Sequence, residues 1–327
     1  MRRRVFIMAA LVAMIPALGS AAVSYNLVLA GASAGGLWSL IGVGVDNAMK
    51  TAYPGSTVTY QTSGGGYANV SLLADEKVDI AILHDAEARK AVEGAAPFSK
   101  PSEHLRALAV LYDFSALQPI LVKAFAEEHG ITSFEDLKAK RPPLRLVLNK
   151  PGNITHDLAV NVLQAYGIAP EDIESWGGRV MIAGSRESAE LLRNGQADMA
   201  MNAPFVGHSS ILEVASAREL ILLAPSASVI GSVGEKMGIG SVTIPASAYD
   251  WLDKDTPTLA LAAMIAADAS MDDVTAKAIT AALIEHIDSL RDVHKAMLGL
   301  DRPMLLRQRS IPFHPGSIAA FKEAGLM

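Results

Sequence analysis

From residue 25 onward, short apolar runs alternate with longer stretches whose apolar positions recur every three or four residues. The first pattern reads as strands and the second as amphipathic helices. Residues 25–30 predict a strand, followed by a glycine-rich turn over 31–36 and a helix to about Ala52. A second strand over 57–61 leads into Thr62-Ser63-Gly64-Gly65-Gly66 and a helix ending near Glu76, and 78–83 form a third strand. This βαβαβ order predicts a parallel sheet with helices on its faces.

A weak internal repeat predicts a second half of the same kind. Residues 72–82 (LLADEKVDIAI) resemble 191–201 (LLRNGQADMAM) at a constant offset, 198 − 79 = 119. In each copy a helix ends in polar residues, one Asp follows and an apolar strand begins, although helix–turn–strand units in any α/β protein share that look. Strands are expected at 144–148 and 220–223, with a turn over 149–153 and a helix over 155–166 between them. Further helices, one over 272–298, are expected to pack back on the first half. The expected organisation is an export segment at 1–22, domain I over 23–115 plus 235–327, and domain II over 116–234. Two crossings, near 113–119 and 224–234, leave a cleft of the kind that closes around small ligands.

The 327 residues are half apolar, with 28 Lys+Arg against 34 Asp+Glu and no cysteine. That length buries a substantial core and the composition excludes disorder. A net charge of −6 argues against nucleic acid as a partner. The absence of Cys removes disulfides, zinc–thiolate sites, iron–sulfur clusters and thiol nucleophiles. Arg2, Arg3 and Arg4 precede an apolar stretch over 5–18, and small residues follow to Ala22. This reads as an export signal cut near Ala21 or Ala22. The stretch is shorter than the roughly 20 residues a spanning helix needs. Cleavage would leave 25 − 34 = −9, and without Cys no lipid anchor, so a periplasmic protein is expected.

Four helices are expected to start from loops rich in Gly, Ser, Thr or Asn: 31–36, 62–66, 149–155 and 183–185. Helix N-termini present unpaired N–H groups and partial positive charge, and glycine lets a ligand approach the backbone. Such loops, gathered at the ends of parallel strands, would bind an anion without a fixed Lys or Arg. The same residues also serve as ordinary caps and turns. Gly31-Ala32-Ser33-Ala34-Gly35 matches the G-x-S-x-G elbow of serine hydrolases, which leaves an enzyme with nucleophile Ser33 as an alternative. That elbow normally follows several strands, whereas here only about eight mature residues precede Gly31. His84-Asp85 ends the third strand, as a ligand-facing pair or a surface turn. The eight His show no metal-ligand spacing, and no cofactor is expected. Trp38 and Tyr67 would wall the cleft or join the core, and Tyr112 begins the first crossing.

These loops, with features along nearly the whole chain, resemble the TAXI family, the extracytoplasmic receptors of one branch of TRAP transporters. The shared features are Gly31-Ala-Ser-Ala-Gly-Gly36, Thr62-Ser-Gly-Gly-Gly-Tyr-Ala-Asn69 and Val78-Asp-Ile-Ala-Ile82 with Asp85. Further along come Ser133-Phe-Glu-Asp-Leu-Lys138, Pro151-Gly152 with Thr155, Ile244-Pro245 with Tyr249, and Ile311-Pro-Phe-His-Pro-Gly316. The resemblance implies an α/β type II periplasmic-binding-protein fold, two α/β domains with a ligand cleft between them. It implies a non-catalytic monomeric receptor that delivers a small organic anion (a dicarboxylate, 2-oxoacid or acidic amino acid) to TRAP membrane permease subunits. A ligand-sensing subunit of a membrane signalling system is the other alternative, because fold alone does not separate sensing from transport. Ser33, Gly35, Thr62, Gly65, Asn69, Asp85, Thr155 and Pro204 fall in the family's cleft-lining motifs. With His84, Tyr112 and Asn153 they make up the expected ligand-binding set. Alanine at Asn69 or Thr155 is expected to weaken ligand binding more than it lowers the melting temperature of the free protein. The chain departs from the family at Gly152-Asn153-Ile154-Thr155-His156, where Gly-Ser-Gly-Thr-Glu is common. It departs again at His84, where a neutral polar residue is common.

Overall fold

The computed structural model of the protein describes residues 23–307 and 310–327; the expected export segment at 1–22 lies outside them. Two sheets organise the chain. The first holds β1 (Asn26–Ala30), β2 (Thr57–Gln61), β3 (Ile80–His84), β4 (Leu105–Ala116), β10 (Gly240–Ile244) and β11 (Thr256–Asp268). The second holds β5 (Gln118–Val122), β6 (Arg145–Leu148), β7 (Arg179–Ile182), β8 (Met199–Asn202) and β9 (Leu220–Leu222). Their orders correspond strand for strand: β2-β1-β3-β11-β10 and β7-β6-β8-β5-β9. In each, three parallel strands are followed by two that pair antiparallel.

The repeated Asp has one job in both halves. Asp79, just before β3, accepts the Val28 N–H of the neighbouring β1 through Oδ2 (2.7 Å). Asp198, just before β8, accepts the Arg145 N–H of the neighbouring β6 (2.9 Å) and also binds the Arg145 guanidinium. Each carboxylate satisfies a backbone donor of an adjacent parallel strand, Val28 within β1 and Arg145 at the start of β6.

The helices are α1 (Leu37–Ala52), α2 (Gly66–Ala74), α3 (Asp85–Glu93), α4 (Lys123–His129), α5 (Phe134–Lys140), α6 (Ile154–Ala165) and α7 (Pro170–Ser175). They continue with α8 (Ser185–Arg193), α9 (Ser209–Ala215), α10 (Ala227–Met237), α11 (Asp273–Glu285), α12 (Asp288–Arg291) and α13 (Pro315–Glu323). In α1 the buried Trp38, Ile41, Val45, Ala48 and Met49 recur at helical spacing, so one stripe faces the sheet. The single helix expected over 272–298 is instead broken. Asp272 caps its start by accepting the Thr275 N–H (2.9 Å), but α11 stops at Glu285, and the His294 ring accepts the Ala296 N–H (3.0 Å) to begin a separate turn.

The apolar run 259–267 lies inside β11, paired with β3 on one side and with β4 along the other. A strand buried on both faces reads as a continuous hydrophobic run. No helix among the described residues is long and apolar enough to cross a membrane. Strands β4 and β11, paired along their length, carry the first sheet toward the second. At their far end Leu117 N–H donates to Leu259 O (2.8 Å), and Thr258 Oγ1 donates to Leu117 O (2.7 Å). There Leu259 and Leu261 pack with Leu117, Leu121 and Met199 of the second half.

Candidate functional site

The parallel strands of the first sheet end at loops that face the start of α6 in the second half. Between them lies a cavity of about 120 Å³. Ala32, Trp38, the Gly64-Gly65-Gly66 run, His84 and Glu87 line it from the first half, and Gly152 and Asn153 from the second. Sites in open α/β sheets sit at this carboxyl edge because successive loops converge there.

Each loop is held from beneath. Asn69 is fully buried; its Nδ2 donates to Gly31 O and Ile82 O (both 2.8 Å), and its Oδ1 accepts from the Ser63 hydroxyl (2.6 Å). It therefore ties the loops after β1 and β2 to the middle of β3, and it does not line the cavity. The Tyr60 hydroxyl accepts the Ala32 N–H (2.7 Å), and the Tyr60 ring occupies the space a Cβ would need at Gly31. Gly31 thus makes room for an aromatic ring. Ser33, Gly35 and Thr62 are exposed and do not line the cavity, because the loop is folded back onto Tyr60. Among the described residues no His or carboxylate is hydrogen-bonded to the Ser33 hydroxyl.

The β3–α3 junction supplies the cavity's chemistry. Glu87, in the first turn of α3, accepts the His84 backbone N–H through Oε2 (2.8 Å), and His84 Nδ1 lies 3.3 Å from that same oxygen. Glu87 is 2% exposed, and a Cβ at Gly66 would collide with its carboxylate. The His84 ring sits 4.9 Å from the Trp38 ring, and Trp38 Nε1 donates to the Tyr112 hydroxyl (2.8 Å). Burial pushes the Tyr112 phenol up to about 12. Tyr112 therefore stands behind Trp38 and His84 and fixes the wall without reaching the cavity.

On the opposite side, Asn153 caps α6. Its Oδ1 accepts both the Thr155 N–H and the Thr155 hydroxyl (each 2.9 Å), so Thr155 is buried in the cap and absent from the lining. Asn153 itself faces the cavity. Pro204 lies deeper in the second half, by a small void of about 20 Å³ with Gln118, Ser185 and Asn202, and its carbonyl accepts from Gln118 (3.1 Å). Asp85 also departs from expectation. It leads α3 in the other direction, into a separate groove with Arg89, Glu235 and Arg307, and burial raises its carboxyl to about 7. Of the expected set, Gly65, His84 and Asn153 meet at the cavity.

The two halves are also joined across the cleft. Asp157 on α6 accepts from the Tyr67 hydroxyl of α2 (2.6 Å) and pairs with Lys90 of α3 (2.7 Å). Burial, reinforced by the Asp157 hydrogen bond, raises the Tyr67 phenol. Sequence reasoning missed Glu87, Lys90 and Asp157. A signal for Glu87 was present, since His84-Asp85-Ala86-Glu87 places an acidic residue three positions after the strand end, as in a capping box. Among the described residues no cluster of His, Asp and Glu side chains is arranged to hold a metal ion.

The chain matches the NMT1-like family over residues 29–325, and it belongs to that family. Similar solved structures include MatC from Rhodopseudomonas palustris with bound malate (TM-score 0.56, 11% identity, covering 93% of this chain and 97% of that one). A TctC solute binding protein from Polaromonas matches with TM-score 0.51 and 15% identity over 84% of this chain and 88% of that one. The periplasmic binding protein BugD matches with TM-score 0.51 and 13% identity over 93% and 98%. The fold is therefore that of the type II periplasmic binding proteins, two α/β domains with a cleft between them, as the sequence pattern led one to expect.

Proposed function

We propose that this NMT1-like protein is a periplasmic solute-binding receptor of the TAXI branch of TRAP transporters. On this reading it captures a small organic anion (a dicarboxylate, 2-oxoacid or acidic amino acid) and hands it to a membrane permease. The observation that carries the reading is the cavity itself, walled by strand-end loops of one sheet and by the α6 N-terminus that follows the other. A ligand held there touches both halves, so it binds the closed arrangement better than an open one and shifts the population toward it. The domain assignment that goes with this is 23–115 plus 235–327 against 116–234, moving about the crossings that follow β4 and β9. Gly65, His84 and Asn153 would contact the ligand, with Trp38 and Glu87 completing the wall. On this reading the role is non-catalytic.

Thermal denaturation against a panel of organic acids, amino acids and sugars tests the reading. A true ligand at 100-fold its Kd adds about 2.7 kcal/mol to the folded state. Organic acids should raise the melting temperature in a concentration-dependent way, while sugars leave it unchanged. Curves that stay flat for every acid would rule the proposal out.

A further inference from the structure

None of the residues lining the cavity is Lys or Arg. Its ionisable side chains are His84 and Glu87, and these touch: Nδ1 lies 3.3 Å from Glu87 Oε2, with side chains 13% and 3% exposed. With Nδ1 turned to the carboxylate, Nε2 is left on the far side of the ring, with no hydrogen-bond partner among the described residues. A ring whose one nitrogen is held by a carboxylate offers the other in a defined direction. The Trp38 ring, its centroid 4.9 Å away, packs beside the same imidazole and fixes its place in the wall.

We infer that His84, positioned by Glu87, is a proton-dependent carboxylate clamp: it carries its proton when the ligand is bound, and its Nε2–H donates to the ligand's carboxylate. The inference rests on the receptor reading above and deepens it. It accounts for how a cavity without a permanent cation holds an anion. The buried Glu87 would repel a carboxylate placed beside it if His84 were neutral. With His84 protonated the pair is neutral overall and presents a charged donor to the cleft. Binding is then linked to uptake of one proton. Affinity is full where His84 is readily protonated and falls as pH rises, by about tenfold per unit once the proton must be taken from solution.

The ionisable groups around His84 are Glu87 and Asp85 on α3 and Tyr112 on β4; α1 contributes the uncharged Trp38. Asp85 faces the other groove, but burial raises its carboxyl to about 7, inside the pH span of the experiment, so it calls for its own control.

The experiment is titration calorimetry of the full protein with pyruvate, malate and glutamate from about pH 6 to about pH 8.5, in buffers of differing ionisation enthalpy. Wild type should lose affinity with rising pH and take up one proton on binding. H84Q should bind about tenfold more weakly at low pH, with a flat profile and no proton uptake. E87Q keeps an acceptor for the His84 N–H, since Gln also completes a capping box. It should therefore melt like wild type while its affinity falls off at lower pH. D85N should retain the wild-type slope. A flat wild-type profile, an H84Q profile as steep as wild type, an E87Q profile superimposable on wild type, or a flattened D85N profile would each overturn the clamp. Failure of all three acids to bind at any pH would bring down the carboxylate-receptor reading itself, an outcome distinct from binding without pH dependence.

Discussion

Asn69 shows how a residue within a ligand-binding motif can serve the fold instead. Its amide reaches Gly31 O and Ile82 O from a position with no solvent exposure, and its oxygen is occupied by Ser63. Removing it strands two buried carbonyls, that of Gly31 just after β1 and that of Ile82 within β3. Asn69→Ala should cost about 3 kcal/mol of stability, read as a lower midpoint in urea unfolding of the ligand-free protein. Loss of ligand affinity with an unchanged midpoint would instead return Asn69 to the cleft. The motif was legible in the sequence, but its direction was not. Whether an Asn in a glycine-rich turn points at a ligand or at a strand end depends on Ser63, Gly31 and Ile82 meeting in space. Gly66 teaches the same lesson, because it is small for the sake of Glu87, 21 positions along the chain.

Helices α2, α3 and α6 meet at Asp157, which holds the Tyr67 hydroxyl and the Lys90 ammonium together. Tyr67 and Lys90 belong to the half built on the first sheet, and Asp157 to the other, so on the receptor reading this contact forms only when the cleft is shut. The Lys90 and Asp157 side chains are 28% and 23% exposed, which places the pair between a surface bridge and a buried one. A double-mutant cycle with Lys90→Met and Asp157→Asn should show a coupling of about 1 kcal/mol. Both single variants should release ligand several-fold faster, because opening loses a contact that the open state never makes. An unchanged dissociation rate in stopped-flow measurements would show that the latch plays no part in retention. Nothing in the local pattern announced this contact. Its partners are 67 and 90 residues apart, and each sits on a helix that periodicity alone already explains. The elements themselves were more legible. Strand β2 was placed at its observed limits and β1, β3 and β6 within two residues, since alternating apolar runs bounded by Gly or Asp leave little freedom.

For the molecule as a whole, the 119-residue repeat proves to be architectural. Asp79 and Asp198 occupy equivalent places in two sheets of the same strand order. What the repeat did not show is that the halves share their interior. The cluster beneath the second sheet takes Tyr67 and Ala86 from α2 and α3, and Leu259 and Leu261 from β11, alongside Leu117, Leu148 and Met199. β11 carries no clear period in the sequence because both its faces are covered and nearly every position of 258–267 is buried. This sharing has a thermodynamic consequence. Were the halves independent, each would melt on its own; with β4 and β11 reaching from one core into the other, neither stays intact when its neighbour unfolds. Heating should therefore give one transition, with calorimetric and van't Hoff enthalpies in agreement. Leu261→Ala, at a fully buried position, should cost about 2–5 kcal/mol and lower the midpoint of both halves together. Trp38 reports on the first half and Trp176 on the second, so variants retaining one or the other as the single fluorophore can follow each separately. Coincident midpoints that move together in Leu261→Ala are expected. Separate midpoints, or a shift confined to Trp176, would mean that the two sheets fold as independent units despite their common core.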